Sequence, residues 1–223
     1  MSILTLENIS KTYRTRSGQL SVLHSVCFSA EPGEFVAIVG QSGSGKSTLL
    51  NCAGCLDLPT EGTVRINGQN TAELDDRALS DLRNCEIGFI FQAYNLLPGL
   101  TALENVELPL RYRGFSRREC RLAALEALES VGLHNRLSHY PSQLSGGQQQ
   151  RIAAARALVG KPSLLLADEP TGNLDPDSAR EMLRLLTSRK SDGQALLLIT
   201  HDERIAALAD RVCRLVNGRL LPA

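Results

Sequence analysis

Gly40-Gln41-Ser42-Gly43-Ser44-Gly45-Lys46-Ser47-Thr48 is a glycine-rich turn of the form G-x-x-x-x-G-K-[ST], and its flanks decide the fold. Residues 34–39, just before it, are a short apolar run of the kind that forms a buried parallel strand. Residues 47–51, just after it, open a helix. Glycines let such a loop curl so that successive backbone N–H groups face a phosphate chain, and the helix N-terminus adds its positive end there. Lys46 has the reach for β- and γ-phosphates, and the Ser47 hydroxyl suits Mg²⁺. The stretch therefore predicts an α/β fold built on a phosphate-loop core.

A phosphate loop needs an acidic partner. Residues 163–167 form a second buried-strand run, which ends in Asp168-Glu169. Ligands of a parallel sheet gather at the carboxyl ends of its strands, so both carboxylates are expected near the phosphates. Asp168 then serves Mg²⁺, and Glu169 is placed to polarise an attacking water as general base. Farther along, Leu144-Ser145-Gly146-Gly147-Gln148 leads into a strong helix-forming run. A serine hydroxyl and glycine N–H groups at a helix start make a second anion site. One chain thus carries two half-sites for phosphate.

With these residues in hand, the chain resembles the ATPase subunit of an ABC transporter from Leu4 to the end. The resemblance implies a P-loop NTPase (RecA-like) core with an antiparallel β layer and an inserted α-helical subdomain, forming one domain over 1–223. Residues 1–92 and 159–223 would form the core, and 93–158 the helical part. It further implies roles for residues that mean little alone. Gln92, at the end of Phe89-Ile90-Phe91-Gln92, falls at the family's Mg²⁺ and water contact. Ser145, Gly146, Gly147 and Gln148 match the signature, and Asn173-Leu174-Asp175 matches the D-loop, with Asp175 among the implied ATP-binding residues. His201 matches the histidine that contacts the γ-phosphate, and Tyr13 the aromatic residue that stacks on adenine. ATP and Mg²⁺ are the implied cofactors. Two copies would pair head to tail as a homodimer around two ATP molecules, working on a membrane permease.

Residues 89–98, 103–110 and 167–175 look most like the branch with lipoprotein-releasing and macrolide-efflux ATPases. A signalling ATPase acting through a membrane partner, as in cell division, shares nearly all of these motifs and is the alternative. Repair or ribosome-associated members carry long coiled-coil insertions or two cassettes in one chain, and neither is present.

Composition agrees with a single compact enzyme. The 223 residues are 43% hydrophobic, and Lys+Arg and Asp+Glu balance at 24 each. No basic field draws nucleic acid or an anionic surface. No apolar stretch approaches the ~20 residues that span a bilayer, and no signal peptide opens the chain. The expected location is the cytoplasmic face of the inner membrane, peripheral through a separate permease. The six cysteines suit a reducing compartment, so neither a disulfide nor a structural metal is expected. Cys52 and Cys55 have C-x-x-C spacing but lie on the helix after the phosphate loop, where small apolar residues pack.

Coarse patterning fills in the rest. Strands are expected at 3–9 and 21–30, an Asn67-Gly68 turn after 64–66, a helix at 74–83 and a buried strand at 87–91. Ser116 and Glu119 spell a capping box for a helix that turns Leu122, Leu125 and Leu128 to one side. Asp175-Pro176 starts another helix. Strand 211–216 ends in Asn217-Gly218. Residues 93–109 are too apolar for a free surface loop and suggest a groove for a partner's helix.

Overall fold

Two sheets organise the computed structural model, which describes residues 1–16, 18–172, 174–188 and 190–222. Its strands are β1 (Leu4–Thr15), β2 (Gly18–Ala30), β3 (Phe35–Val39), β4 (Glu61–Ile66), β5 (Gln69–Asn70), β6 (Ile87–Ile90), β7 (Leu164–Asp168), β8 (Ala195–Ile199), β9 (Arg211–Val216) and β10 (Arg219–Pro222). The helices are α1 (Lys46–Ala53), α2 (Asp76–Glu86), α3 (Ala102–Tyr112), α4 (Arg117–Ser130), α5 (Gly146–Leu158), α6 (Pro176–Thr187) and the short α7 (Glu203–Ala206).

The larger sheet runs β10-β9-β3-β8-β7-β6, parallel except for β10. Its central strands are apolar throughout because both faces are covered, and their side chains alternate between two cores. Val36, Ile38, Leu164, Leu166, Leu197 and Ile199 enter the core shared with α1 and the antiparallel sheet. Phe35, Ala37, Leu165, Ala167, Leu196 and Leu198 enter the other, with Met182 and Leu186 of α6. The smaller sheet, β2-β1-β4-β5, is antiparallel. A third core holds α3, α4 and α5 together through Leu103, Val106, Ala124, Leu128 and Ile152.

Several boundaries move from their sequence-based positions. Strands expected at 3–9 and 21–30 extend to Thr15 and back to Gly18, which face each other in the hairpin. The added residues are mostly exposed and polar, so no alternation announces them. The helix expected at 74–83 begins at Asp76, because Asp75 caps it by accepting from the Ala78 N–H at 2.7 Å, and it runs to Glu86.

The capping box of Ser116 and Glu119 forms as predicted. Leu122, Leu125 and Leu128, however, do not share a buried face. Steps of three residues fall short of a helical turn, so Leu122 and Leu128 stand ~120° apart. Cys120, Ala124 and Leu128 are the buried residues, and Leu122 is 52% exposed.

Both Asn-Gly pairs make tight hairpin turns with two left-handed residues. The second turn leads into β10, which sequence reading missed. It also braces the phosphate loop, since the Gly218 N–H donates to the Ser44 carbonyl and the Gly218 carbonyl accepts from His24.

Candidate active site

Strand order builds the site. β3, β8, β7 and β6 are consecutive parallel neighbours, so the loops leaving their carboxyl ends gather along one edge. The phosphate loop follows β3, Gln92 follows β6, Glu169 follows β7 and His201 follows β8. They enclose a cleft of about 440 Å³ walled by Gly40, Ser42, Gly43, Gly45, Lys46, Ser47, Thr48, Gln92, Asp168, Glu169 and His201. Val22 of β2 completes the wall and carried no signal in the sequence.

Gly45 caps α1 at φ 102°, and a Cβ there would stand 3.1 Å from Val22. Only glycine accepts both conditions. The Lys46 ammonium donates to the Gly40 and Gln41 carbonyls at 2.8 and 2.9 Å, which holds it across the loop.

Asp168 is the last residue of β7 and pairs in register with Ile199. Glu169 comes next, at φ 47°. A non-glycine residue in this region carries strain of ~1–3 kcal/mol and persists only where its surroundings hold it. Here the Glu169 N–H donates to the Ile199 carbonyl, and its own carbonyl accepts from the Gly172 N–H. Its Oε1 lies 2.7 Å from Nδ1 of His201. The carboxylate is largely buried and the imidazole exposed, so the pair straddles the cleft rim. A hydroxyl, an amide and a carboxylate (Ser47, Gln92, Asp168) share this cleft, and hard oxygen donors of that kind suit Mg²⁺.

The remaining sequence-predicted residues stand outside the cleft wall. Gln41 and Ser44 belong to the loop itself. Tyr13, half-buried on β1, donates its hydroxyl to Asp57 at 2.8 Å, and the buried Lys11 lies 5.0 Å from its ring centroid. Lys11 also pairs with Asp57 at 2.5 Å. Burial and then the Asp57 bond raise the Tyr13 pKa. Thr48 links Tyr13 to the cleft, since it interacts with the tyrosine and lines the wall.

Ser145, Gly146, Gly147 and Gln148 start α5, where Ser145 and Gln148 form a reciprocal capping box at 3.0 and 3.3 Å. The Leu174 side chain comes within 3.4 Å of a Cβ built on Gly147. Asp175 caps α6, and hydrogen bonds from Ser178 hold its carboxyl below the ordinary range. Asn173 lies outside the described residues.

Segment 93–109 divides between an exposed first part, with Leu97 44% exposed, and an inward-facing second part. Ala102, Leu103 and Val106 are buried, and Leu96 packs on the helical core. Asn105 is wholly buried because the 97–101 turn wraps its amide. A separate groove of about 240 Å³ runs between β6, α3 and α5, lined by Phe89, Phe91, Asn95, Pro109, Arg113 and Arg156. Cys52 and Cys55 sit in the core, and burial, with the Asp57 charge second, pushes the Cys52 thiol up to about 11.

Residues 23–172 match the family described as "ABC transporter". This chain belongs to the ABC transporter family. The cassette is 48% identical over 219 residues to the uncharacterized ABC transporter ATP-binding protein YvrO of Bacillus subtilis (strain 168), covering 98% of this chain and 96% of YvrO. It is equally identical, at 48% over 219 residues, to the macrolide export ATP-binding/permease protein MacB of Hyphomonas neptunium (strain ATCC 15444). That match covers 98% of this chain but only 34% of MacB. Among solved structures, the dimeric post-hydrolysis state of the cassette MJ0796 bound to ADP and Pi superposes with a TM-score of 0.93. The two are 45% identical, over 97% of this chain and 96% of that one. Family and fold together make this cassette an ATPase of the ABC transporter class, with the α/β phosphate-loop architecture expected from its sequence.

Proposed function

We propose that two copies of this cassette close head to tail over two ATP molecules and drive a membrane permease carried on another chain. One observation carries the dimer: the Ser145–Gln148 turn is absent from the wall of its own chain's cleft. An anion site at a helix start, displaced from the phosphate loop, is what a partner's nucleotide would need. MJ0796, a dimer bound to ADP and Pi, supports the pairing of two copies.

Within each cleft, Lys46 and the loop amides from Gly40 to Thr48 hold the phosphates. Ser47, Gln92 and Asp168 would hold Mg²⁺, which supplies charge neutralisation at the phosphate oxygens. Glu169 accepts a proton from the attacking water, and His201 orients that carboxylate while meeting the γ-phosphate. Tyr13 stacks on adenine, and Asp175 contributes to ATP binding.

The permease reading draws on MacB, whose name joins ATP-binding and permease functions in one chain. Among the described residues no helix is long and apolar enough to cross a membrane. The groove beside Phe91 and Pro109 is the proposed seat for a permease segment, which would hold the cassette at the cytoplasmic face of the membrane. Efflux or lipoprotein release is the branch this supports.

Light scattering of the Glu169→Gln variant with ATP and Mg²⁺ tests the dimer. Doubling of the mass on adding ATP is expected, and a mass that stays that of one chain at high protein concentration sinks the proposal.

A further inference from the structure

The loop after Gln92 is fastened to the helical layer by a side chain with no part in the cleft. Arg156, in the third turn of α5, donates through Nη1 to the Asn95 carbonyl at 2.6 Å and through Nη2 to the Tyr94 carbonyl at 3.0 Å. Tyr94 and Asn95 are consecutive non-glycine residues at φ 60° and 49°. Two left-handed residues in a row turn both carbonyls toward one point, and that strain needs a partner to hold it. The Arg156 guanidinium is that partner. Burial lowers its pKa, and among the described residues no carboxylate pairs with it.

Tyr94 meets the same helix at its other end. A Cβ on Gly146, the first residue of α5, would lie 2.8 Å from the Tyr94 hydroxyl. Tyr94 therefore meets the start of α5 with its hydroxyl and the third turn through its carbonyl. On the far side of the loop, the buried Asn105 of α3 binds the backbone of Leu97, Leu100 and Thr101. Downstream of Gln92 the loop is tied to the helices, while Gln92 itself faces the cleft.

We propose that Arg156 is a positioning residue that locks the Gln92 loop to α5, so that Gln92 and the Ser145–Gln148 turn move as one body. The planar guanidinium holds the two carbonyls through two nitrogens fixed in one rigid fork, whereas a lysine ammonium offers a single nitrogen on a flexible stem. Ligation of Gln92 at one nucleotide would then carry the signature turn toward the other. Asn95 and Arg156 also line the groove beside β6, so an occupant of that groove touches the same clamp. The inference rests on reading Gln92 and Ser145–Gln148 as halves of two nucleotide sites.

Arg156→Gln and Arg156→Lys in the full chain test it. The affinity of one chain for ATP should change little, because Lys46 and Ser47 are untouched. Turnover should fall about tenfold or more in both variants, and the ATP concentration for half-dimerisation should rise by a similar factor. Normal turnover and dimerisation, or equal loss of ATP binding and turnover, overturns the proposal.

A second measurement needs no change at Arg156. Spin labels are placed at Ala93 and at either Arg121 of α4 or Glu73 beside the antiparallel sheet, with the exposed Cys27 and Cys85 replaced by serine. Adding ATP to Glu169→Gln protein should leave the 93–121 distance fixed and change the 93–73 distance. Every other pattern, immobility included, overturns the proposal. Retained turnover in Glu169→Gln would instead mark failure of the site reading, whatever the labels show.

Discussion

Nδ1 of His201 and Oε1 of Glu169 stand 2.7 Å apart because β7 and β8 are paired with Asp168 opposite Ile199. Each residue sits just beyond that pair, at the ends of two adjacent strands. The register alone brings them together from 32 positions apart. Their contact makes the two side chains one unit, and units respond to mutation non-additively.

Glu169→Gln should slow phosphate release by ~10²–10⁴, the scale of a general base. His201→Ala should slow it too. The double variant should be no slower than the worse single one, and losses that multiply would show that the residues act independently.

Tyr13 owes its orientation to Asp57 and Lys11. Tyr13→Ala should weaken ATP binding by about the ~1–3 kcal/mol that one base–aromatic stack contributes. Asp57→Asn should weaken it less, since the ring remains. It should also lower the melting temperature, because the buried Lys11 loses its carboxylate at ~1–3 kcal/mol. Titration with a fluorescent ATP analogue, beside a thermal melt, separates the two effects.

Leu128 and Leu122 offer a clean contrast on one helix. Leu128→Ala removes a fully buried side chain from the helical core and should cost ~2–5 kcal/mol in urea unfolding. Leu122→Ala should stay within ~0.5 kcal/mol. Equal effects would mean that Leu122 is covered in solution.

Cysteine reactivity follows burial. At pH 8 the exposed Cys27 and Cys85 should react with a maleimide, whereas Cys52, Cys55, Cys120 and Cys213 should not. Burial raises the Cys52 thiol to about 11, so its thiolate fraction stays very small until the pH approaches that value. Mass spectrometry of the labelled chain before and after unfolding checks this. Rapid labelling of Cys52 in the folded protein would count against the packing of α1.

The cleft was largely legible in the sequence because strand–loop–helix motifs name their own geometry. The phosphate loop, Gln92, Asp168, Glu169 and His201 all sit at strand ends, where a parallel sheet must put them. Other features left no local trace. Asp57 supports Tyr13 from 44 positions away, through the fold. Asn105 and Arg156 are polar residues within helical runs, and only the structure shows their side chains turned inward on backbone carbonyls. Leu122 misled because leucines three apart look like a stripe although the helix rotates them off it. β10 was missed because a four-residue strand gains its identity from the neighbour it pairs with.

The place of β8 between β3 and β7 bears on how the protein is made. A nascent chain that has emerged to residue 172 already carries the phosphate loop, Gln92, the signature turn, Asp168 and Glu169. It still lacks the strand that sets β3 beside β7, since both of them pair with β8. The nucleotide cleft cannot close on the ribosome before residues 195–199 are free, and until then two apolar strand edges stand open. Chaperones would meet this chain with Lys46 and Glu169 already made, His201 still missing and its sheet unfinished.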